Sequence, residues 1–573
     1  MAFASLGERV VPLHAKSPLR CTRQPPCRHS ALPALSRNRR FFRNHELHTL
    51  PFRRSMHNIY SERGISTACA ASAKLTREQQ LQNDAENDGV STSLGPEPFS
   101  AYIHLPFCKK KCFYCDFPVI AVGLRPDDYK IQDTMTEYID AICREIAATK
   151  RLNDSGPLKT VFFGGGTPAL TSPALLEQIL TRLDRSFGIS SNAEISIETD
   201  PGAFTASQLR SYQLLGVNRV SVGVQTFNDD LLKLCGRAHD VADVYRAIEA
   251  VYATDIKSWS LDLMSGLPGL TEPTWEHSLN AALDAAPTHL SVYDLQIEEH
   301  TPFARDYRPG VAPLPTEETA AAMYGQASKI LRNAGYEHYE VSNYARPGHR
   351  CAHNMVYWEG LPYYAFGMGA ASYLEKRRFS RPRKLNAYLK WLKEEMEEKV
   401  AEGGDTGSSS SSSFTGGRGS IGGDRGNNKI EKGMPIVPGL DSPIESVEDR
   451  LTDTIMLRLR LADGLDLRKI SADFVDGDEI GDVIRDSLLE HEQRGHVVFI
   501  REGEDAGEEK ENEGVRFSGD SRRQQQQSDM NKKSGGKRPG EIIKIKLTDP
   551  EGFVQSNDVI SDVFVALDEI KKE

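Results

Sequence analysis

Between residues 100 and about 300, short β-rich runs alternate with segments whose apolar residues recur at helical spacing. The runs 101–105, 159–163, 193–198, 218–224, 258–264 and 289–295 are predicted strands, and stretches such as 172–188 between them are predicted amphipathic helices. Strand–helix alternation of this kind implies a parallel sheet with helical crossovers, either barrel-like or open. In such sheets the chemistry collects beyond the C-terminal strand ends. Polar or glycine-rich motifs follow nearly every one of these runs: a cysteine cluster, GGGTP, Glu198-Thr199-Asp200-Pro201, Gln225, and Ser265-Gly266-Leu267-Pro268-Gly269. Loop composition alone does not explain that placement.

A chain of 573 residues is too long for one hydrophobic core, so two or more domains are expected. No run reaches the roughly 18 apolar residues of a membrane-spanning helix, which excludes a helical span. Charge is unevenly spread. Residues 1–74 hold 13 Lys/Arg against 3 Asp/Glu, and the other 499 residues hold 57 against 78. A body with a net charge of −21 lacks the basic surface that sequence-independent nucleic-acid binding needs. The basic, acid-poor leader 1–74 has the composition of an organelle transit peptide. Its stretch 65–74 favours a chloroplast, and RNRRFFRNH at 38–46 equally suits a mitochondrion.

Two further segments are of low complexity. Residues 403–428 contain 16 Gly or Ser in 26 positions, the makeup of a flexible linker. The stretch 502–541 holds four apolar residues in forty and interrupts the strand-like runs 496–501 and 542–548, which are predicted to form one hairpin. Ser446 through Asp449 reads as a capping box that starts a helix, with Gly464 as its C-cap. The segment 552–567 is predicted helical, giving a small winged-helix-like domain.

Nine cysteines in a chain this long make no disulfide framework, and a reducing compartment is expected. Only Cys108, Cys112 and Cys115, spaced Cys-x3-Cys-x2-Cys after the first strand, have ligand-like spacing. A structural zinc site uses four ligands in two pairs, and no fourth Cys or His follows nearby. Three thiolates on a four-iron cube would leave one iron open. A zinc site with a distant fourth ligand, or chance clustering, are the competing readings.

YIHLPF before the cluster and GGGTP after the second strand resemble the radical S-adenosylmethionine (SAM) superfamily. Within it the chain is similar to the group of oxygen-independent coproporphyrinogen III oxidases (HemN) and heme chaperones (HemW). The resemblance runs from about residue 99 to the C-terminus, apart from the two low-complexity insertions. It implies a partial (β/α)6 barrel followed by a small winged-helix-like α+β domain. The implied boundaries are a leader at 1–74, a barrel at 97–345, a connecting region at 346–400, a linker at 401–440 and a C-terminal domain at 441–573. It also implies a [4Fe-4S] cluster on Cys108, Cys112 and Cys115, whose open iron binds SAM. Tyr102, Tyr114, Gly165, Gly166, Thr167, Glu198, Gln225, Arg237 and Asp262 match positions assigned to SAM, some of them to a second SAM molecule. On residues alone, Gln225 reads as a satisfied strand end and Arg237 as a surface ion pair.

Two departures bear on the subgroup. The oxidases carry a fourth cysteine where this chain has Phe117, giving CDF as in the chaperones. RCAHNMVYW at 350–358 is similar to the chaperones' HNxxYW motif, which makes His353 a heme-ligand candidate and Cys351 a weaker one. The implied function is a heme chaperone serving an acceptor protein, with an electron donor such as ferredoxin or flavodoxin. The alternative is oxidative decarboxylation of two propionates of coproporphyrinogen III. A third reading keeps the fold without cluster chemistry, against which all three cysteines and GGGTP stand intact.

Overall fold

The computed structural model describes residues 98–125, 128–149, 151–152, 156–397, 442–502 and 541–570. The expectations made for 1–74, 403–428 and nearly all of 502–541 lie outside the described residues.

All six predicted strands form, at Ser100–Leu105, Leu158–Gly165, Ile189–Thr199, Arg219–Gln225, Ser258–Ser265 and His289–Asp294. They are hydrogen-bonded in that order and parallel throughout. Each crossover contains a helix, among them Tyr129–Ala148, Pro173–Phe187, Ala206–Leu214, Val241–Tyr252 and Glu272–Asp284. Ser172 caps the second of these by accepting from Leu175 N, with proline at the first helical position where its missing N–H does no harm. Three further strands extend the sheet to nine. Tyr364–Phe366 lies parallel beside the first strand, while Asn343–Ala345 and Glu337–Glu340 add antiparallel beyond the sixth. Residues 346–400 are therefore more than a connection, because part of them completes the sheet.

Strand periodicity sorts the two faces of this sheet. Ala101, Ile103 and Leu105, Val161 and Phe163, Ile195 and Ile197, Val220 and Val222, Leu261 and Leu263 pack into one core with Ile139, Leu176, Ile179, Leu183, Leu209 and Val244 of the helices. The alternate positions carry Tyr102, His104, Thr160, Glu194, Ser196, Glu198, Ser221, Ser260, Asp262 and Ser291, most of them buried. Tyr293 on the sixth strand feels the carboxylate of Glu198 on the third. The helix Ala352–Trp358 lies against the same face, with His353 bonded to Thr160 of the second strand.

Behind the first strand, Glu145 and Arg381 form an ion pair at 2.7 Å, with 0% and 1% of their side chains exposed. Glu145 also accepts from Tyr388 Oη at 2.7 Å and Gly367 N at 2.9 Å. Arg381→Met should destabilise the chain by about 3–5 kcal/mol in urea denaturation, since it strands a hydrogen-bonded carboxylate without its cation. The double variant with Glu145→Gln should lose less than the two singles added together.

The C-terminal part matches its expectation in most elements. Ser446 and Asp449 form the capping box of the helix Val447–Leu459. Val497–Arg501 pairs antiparallel with Ile542–Leu547, and Leu465–Asp466 completes a three-stranded sheet. The predicted helical tail forms Glu551–Val554 and Ser556–Ile570. Ile455, Leu459, Ile545, Leu547, Val559 and Val563 build a second core, which Trp358 enters from the barrel side. Gly464 is not the helix C-cap, because the helix has already ended at Leu459 and is capped by Arg460. Glycine is required there because a Cβ would lie 2.4 Å from the Ile545 carbonyl oxygen of the hairpin. Among the described residues, no helix is long and apolar enough to cross a membrane.

Candidate iron–sulfur and SAM site

The cysteine loop leaves the first strand at Pro106 and is tied down on three sides. At its base, Ile120 N donates to Pro106 O at 2.7 Å and Val122 N to Cys108 O at 2.8 Å. Thr167 N of the GGGTP turn donates to Phe107 O at 2.7 Å. Phe113 N donates to Cys235 O at 2.9 Å, anchoring the loop to the segment after the helix Asp229–Leu234. Cys108, Cys112 and Cys115 are free thiols, each partly exposed. Burial pushes the Cys108 and Cys115 thiols up, Cys115 to about 11, and repulsion from the Cys112 sulfur adds to both.

Thiolates crowded this closely are unstable alone and are stabilised by a bound cation, which reverses the local charge balance. Among the described residues no three His, Cys, Asp or Glu side chains are set for one metal ion. A four-iron cube takes its thiolates on separate irons, which need not converge on one point.

Beside the loop, Arg237 donates from Nη1 to Cys112 Sγ at 3.2 Å and to Tyr114 Oη at 3.2 Å, and from Nη2 to Gly223 O at 2.7 Å. Its partner is the Asp200 carboxylate, and only 5% of the arginine side chain is exposed. Arg237 is thus no surface ion pair. Asp200 also accepts from Thr167 Oγ1 at 2.7 Å. Glu198 accepts from Gly165 N at 3.0 Å, and burial pushes its carboxyl up. Tyr102 shares a 3.2 Å bond with His104 Nδ1, and His104 Nε2 lies 2.9 Å from Pro118 O. A carbonyl only accepts, so Nε2 carries the proton and Nδ1 accepts from the tyrosine. Burial lowers His104 to about 4, so it is neutral at physiological pH.

Gln225 ends the fourth strand with φ at +72°, an uncommon conformation for a side chain of its size. It is buried, and its Nε2 finds no protein partner among the described residues. Arg237 Nε is likewise buried without one. Strain together with unpaired buried donors marks a position suited to a polar ligand. These donors suit a carboxylate or hydroxyl oxygen of a polar ligand. Asp262 accepts from Ser221 Oγ at 2.8 and 2.9 Å and from Ser260 Oγ at 3.1 Å, and burial pushes it up.

His353 lies toward the other end of the polar face. Thr160 Oγ1 donates to Ser100 Oγ at 2.9 Å, so its lone pair receives His353 Nδ1–H at 2.7 Å. The Tyr357 hydroxyl then donates to Nε2 at 2.9 Å. Both ring nitrogens have protein partners, so ligation of heme iron requires one of them to be displaced. Burial lowers this histidine to about 3. Cys351 is buried, its thiol pushed up to about 12 and directed to Glu194 Oε1 at 3.7 Å.

A histidine lowered by folding supports the fold above its unfolded value of about 6.5, and the support fades as pH falls toward 3. The stability gap between wild type and His353→Gln should therefore narrow by about 2 kcal/mol between pH 7.5 and pH 5, with other groups cancelling in the difference. Urea midpoints of both proteins at both pH values measure it.

The sequence-predicted residues thus fall into one connected region around the cysteine loop, with Asp262 further along the polar face and the His353 ring 6.5 Å from that of Tyr102. Asp200 was not singled out from sequence, although it holds both Thr167 and Arg237. Its place just after the third strand was the available signal.

A parallel sheet with this loop at its C-terminal end defines a radical SAM protein, and the Radical SAM superfamily model matches residues 102–282. The heme chaperone HemW of Synechocystis is 38% identical over 472 residues, 82% of this chain and 98% of that protein. The chain belongs to the HemW family. A bovine relative, radical S-adenosyl methionine domain-containing protein 1, mitochondrial, is 33% identical over 52% of this chain and 66% of its own length. Coproporphyrinogen III oxidase (HemN) from Escherichia coli, a radical SAM enzyme, superposes with a TM-score of 0.57 at 19% identity, covering 86% of this chain and 94% of that one. At that identity the likeness is one of fold.

Proposed function

We propose that this chain is a heme chaperone that binds heme and hands it to an acceptor protein. The observation that carries the reading is the match along 98% of a heme chaperone relative. In this reading Cys108, Cys112 and Cys115 hold a [4Fe-4S] cluster, which supplies one-electron chemistry and an open iron for SAM. Glu198 and Gln225 offer the ligand an acceptor and a donor, and Tyr102 and Tyr114 pack beside it. Gly165 and Gly166 let their turn pack directly on His104 and on the Pro106 backbone, where a Cβ would not fit, and Thr167 and Asp262 set polar groups around the ligand.

Lys109, Lys110 and Lys111 on the cluster loop suit an acidic electron donor of the ferredoxin or flavodoxin type. Lys109 Nζ donates to Gly202 O at 2.5 Å and Lys110 lies 5.0 Å over the Phe113 ring. An organelle is the proposed destination. The stretch 65–74 favours the chloroplast, and the mitochondrial name of the bovine relative favours the mitochondrion. A fluorescent fusion of residues 1–74 distinguishes them.

Heme titration of the reconstituted protein tests the chaperone reading. Saturable binding near one heme per chain is expected, and no binding would end it. His353→Gln in the same titration decides that residue's part: weaker binding assigns it to heme, and an unchanged curve leaves it a structural histidine. The second reading, coproporphyrinogen III oxidation, is favoured only by the shared fold.

A further inference from the structure

The three thiols of the cluster loop have different surroundings. Thr167 Oγ1 lies 3.8 Å from Cys108 Sγ but 2.7 Å from Asp200 Oδ2. A hydroxyl has one proton, and the short bond to a carboxylate wins it, so Cys108 receives no strong donor from Thr167. Cys115 is helped by a backbone N–H, that of Phe117. Cys112 alone of the three receives an N–H from a buried guanidinium, at 3.2 Å. The Asp200 carboxylate, Gly223 O and Tyr114 Oη hold that guanidinium in place.

We propose that Arg237 sets the reduction potential of the cluster by stabilising negative charge on the Cys112 sulfur. The proposal rests on the reading that this loop holds a cluster. Reduction adds one electron to the cluster and breaks no bond. The added charge spreads onto the ligand sulfurs, where a donor and a nearby cation favour the reduced form and raise the potential. Burial keeps solvent from screening that charge. Asp200 acts the other way through space, because its negative charge offsets part of the arginine's. It limits how far the potential rises.

The two side chains therefore predict opposite shifts. With SAM absent, so that a lost SAM contact cannot imitate the effect, reconstituted wild type, Arg237→Gln and Asp200→Asn are titrated with dithionite and the reduced cluster is read by electron paramagnetic resonance. Arg237→Gln should move the midpoint down by at least tenfold in the equilibrium constant, about 59 mV for one electron. Asp200→Asn should move it up, since three other contacts still hold the arginine. Either midpoint unchanged, or both shifted in one direction, would overturn the proposal. Where Arg237→Gln fails to retain its irons, Asp200→Asn decides alone: an upward shift supports the proposal, and no shift or a downward one refutes it. A wild-type chain that takes up no iron would instead remove the cluster reading itself.

Discussion

Reconstituted Cys112→Ala protein should fall from about four irons per chain to fewer than about one, with loss of the visible iron–sulfur absorption. Cys108→Ala and Cys115→Ala should do the same. The reason is the count of ligands. A cube held by three thiolates already exposes one iron, and the loop offers no nearby Cys or His to replace a lost ligand. Cys235 approaches the loop through its backbone oxygen, bonded to Phe113 N, and its thiol is packed in the barrel core. Cys143→Ala serves as the control and should keep all four irons. A Cys112→Ala protein that retains them would remove the assignment of the loop.

Gly165→Ala should destabilise the chain by about 2–6 kcal/mol, the sum of backbone strain and overpacking. Gly165 has φ at +108°, where a Cβ is strongly disfavoured, and that Cβ would lie 2.3 Å from His104 Cε1 and 2.4 Å from Nδ1. The imidazole has nowhere cheap to go. Its Nε2–H is given to Pro118 O and its Nδ1 accepts from Tyr102, so moving the ring breaks two buried bonds and disturbs the cysteine loop. Domain stabilities are typically about 5–15 kcal/mol, so the variant should be poorly soluble or melt far below wild type. Urea denaturation measures the loss, and a change under about 1 kcal/mol would mean that the turn relaxes freely.

The barrel strands were legible because each couples a β-branched or aromatic run to a polar end. In AYIHL the alternation even shows which side chains meet the helices, Ala101, Ile103 and Leu105, and which face inward, Tyr102 and His104. The capping box at Ser446 and the hairpin interrupted by a long insertion were legible for the same reason: their signals are local. Tyr364–Phe366 was not, since three residues joining a sheet beside a strand more than 250 positions earlier leave no periodic trace. Gly464 misled because a glycine after a helix most often caps it, whereas here it makes room for the Ile545 carbonyl.

Within the site, the cysteine spacing was the clearest signal and Asp200 the faintest. A single carboxylate among several loop residues does not say which cation it will meet, and Arg237 comes to it from 37 positions away. His353 was readable as a residue in a motif, but its hydrogen bonds to Thr160 and Tyr357 depend on how a short helix seats against the second strand.

The measurement that bears most directly on the chaperone reading uses chain lacking residues 1–74, reconstituted anaerobically with iron and sulfide. It is incubated with SAM, a reductant and coproporphyrinogen III, the products are examined by mass spectrometry, and the same sample is titrated with heme. The account predicts an intact cluster, saturable heme binding and unaltered coproporphyrinogen III. Products short of one or two carboxyl groups would contradict it and make the chain an enzyme of porphyrin synthesis despite Phe117.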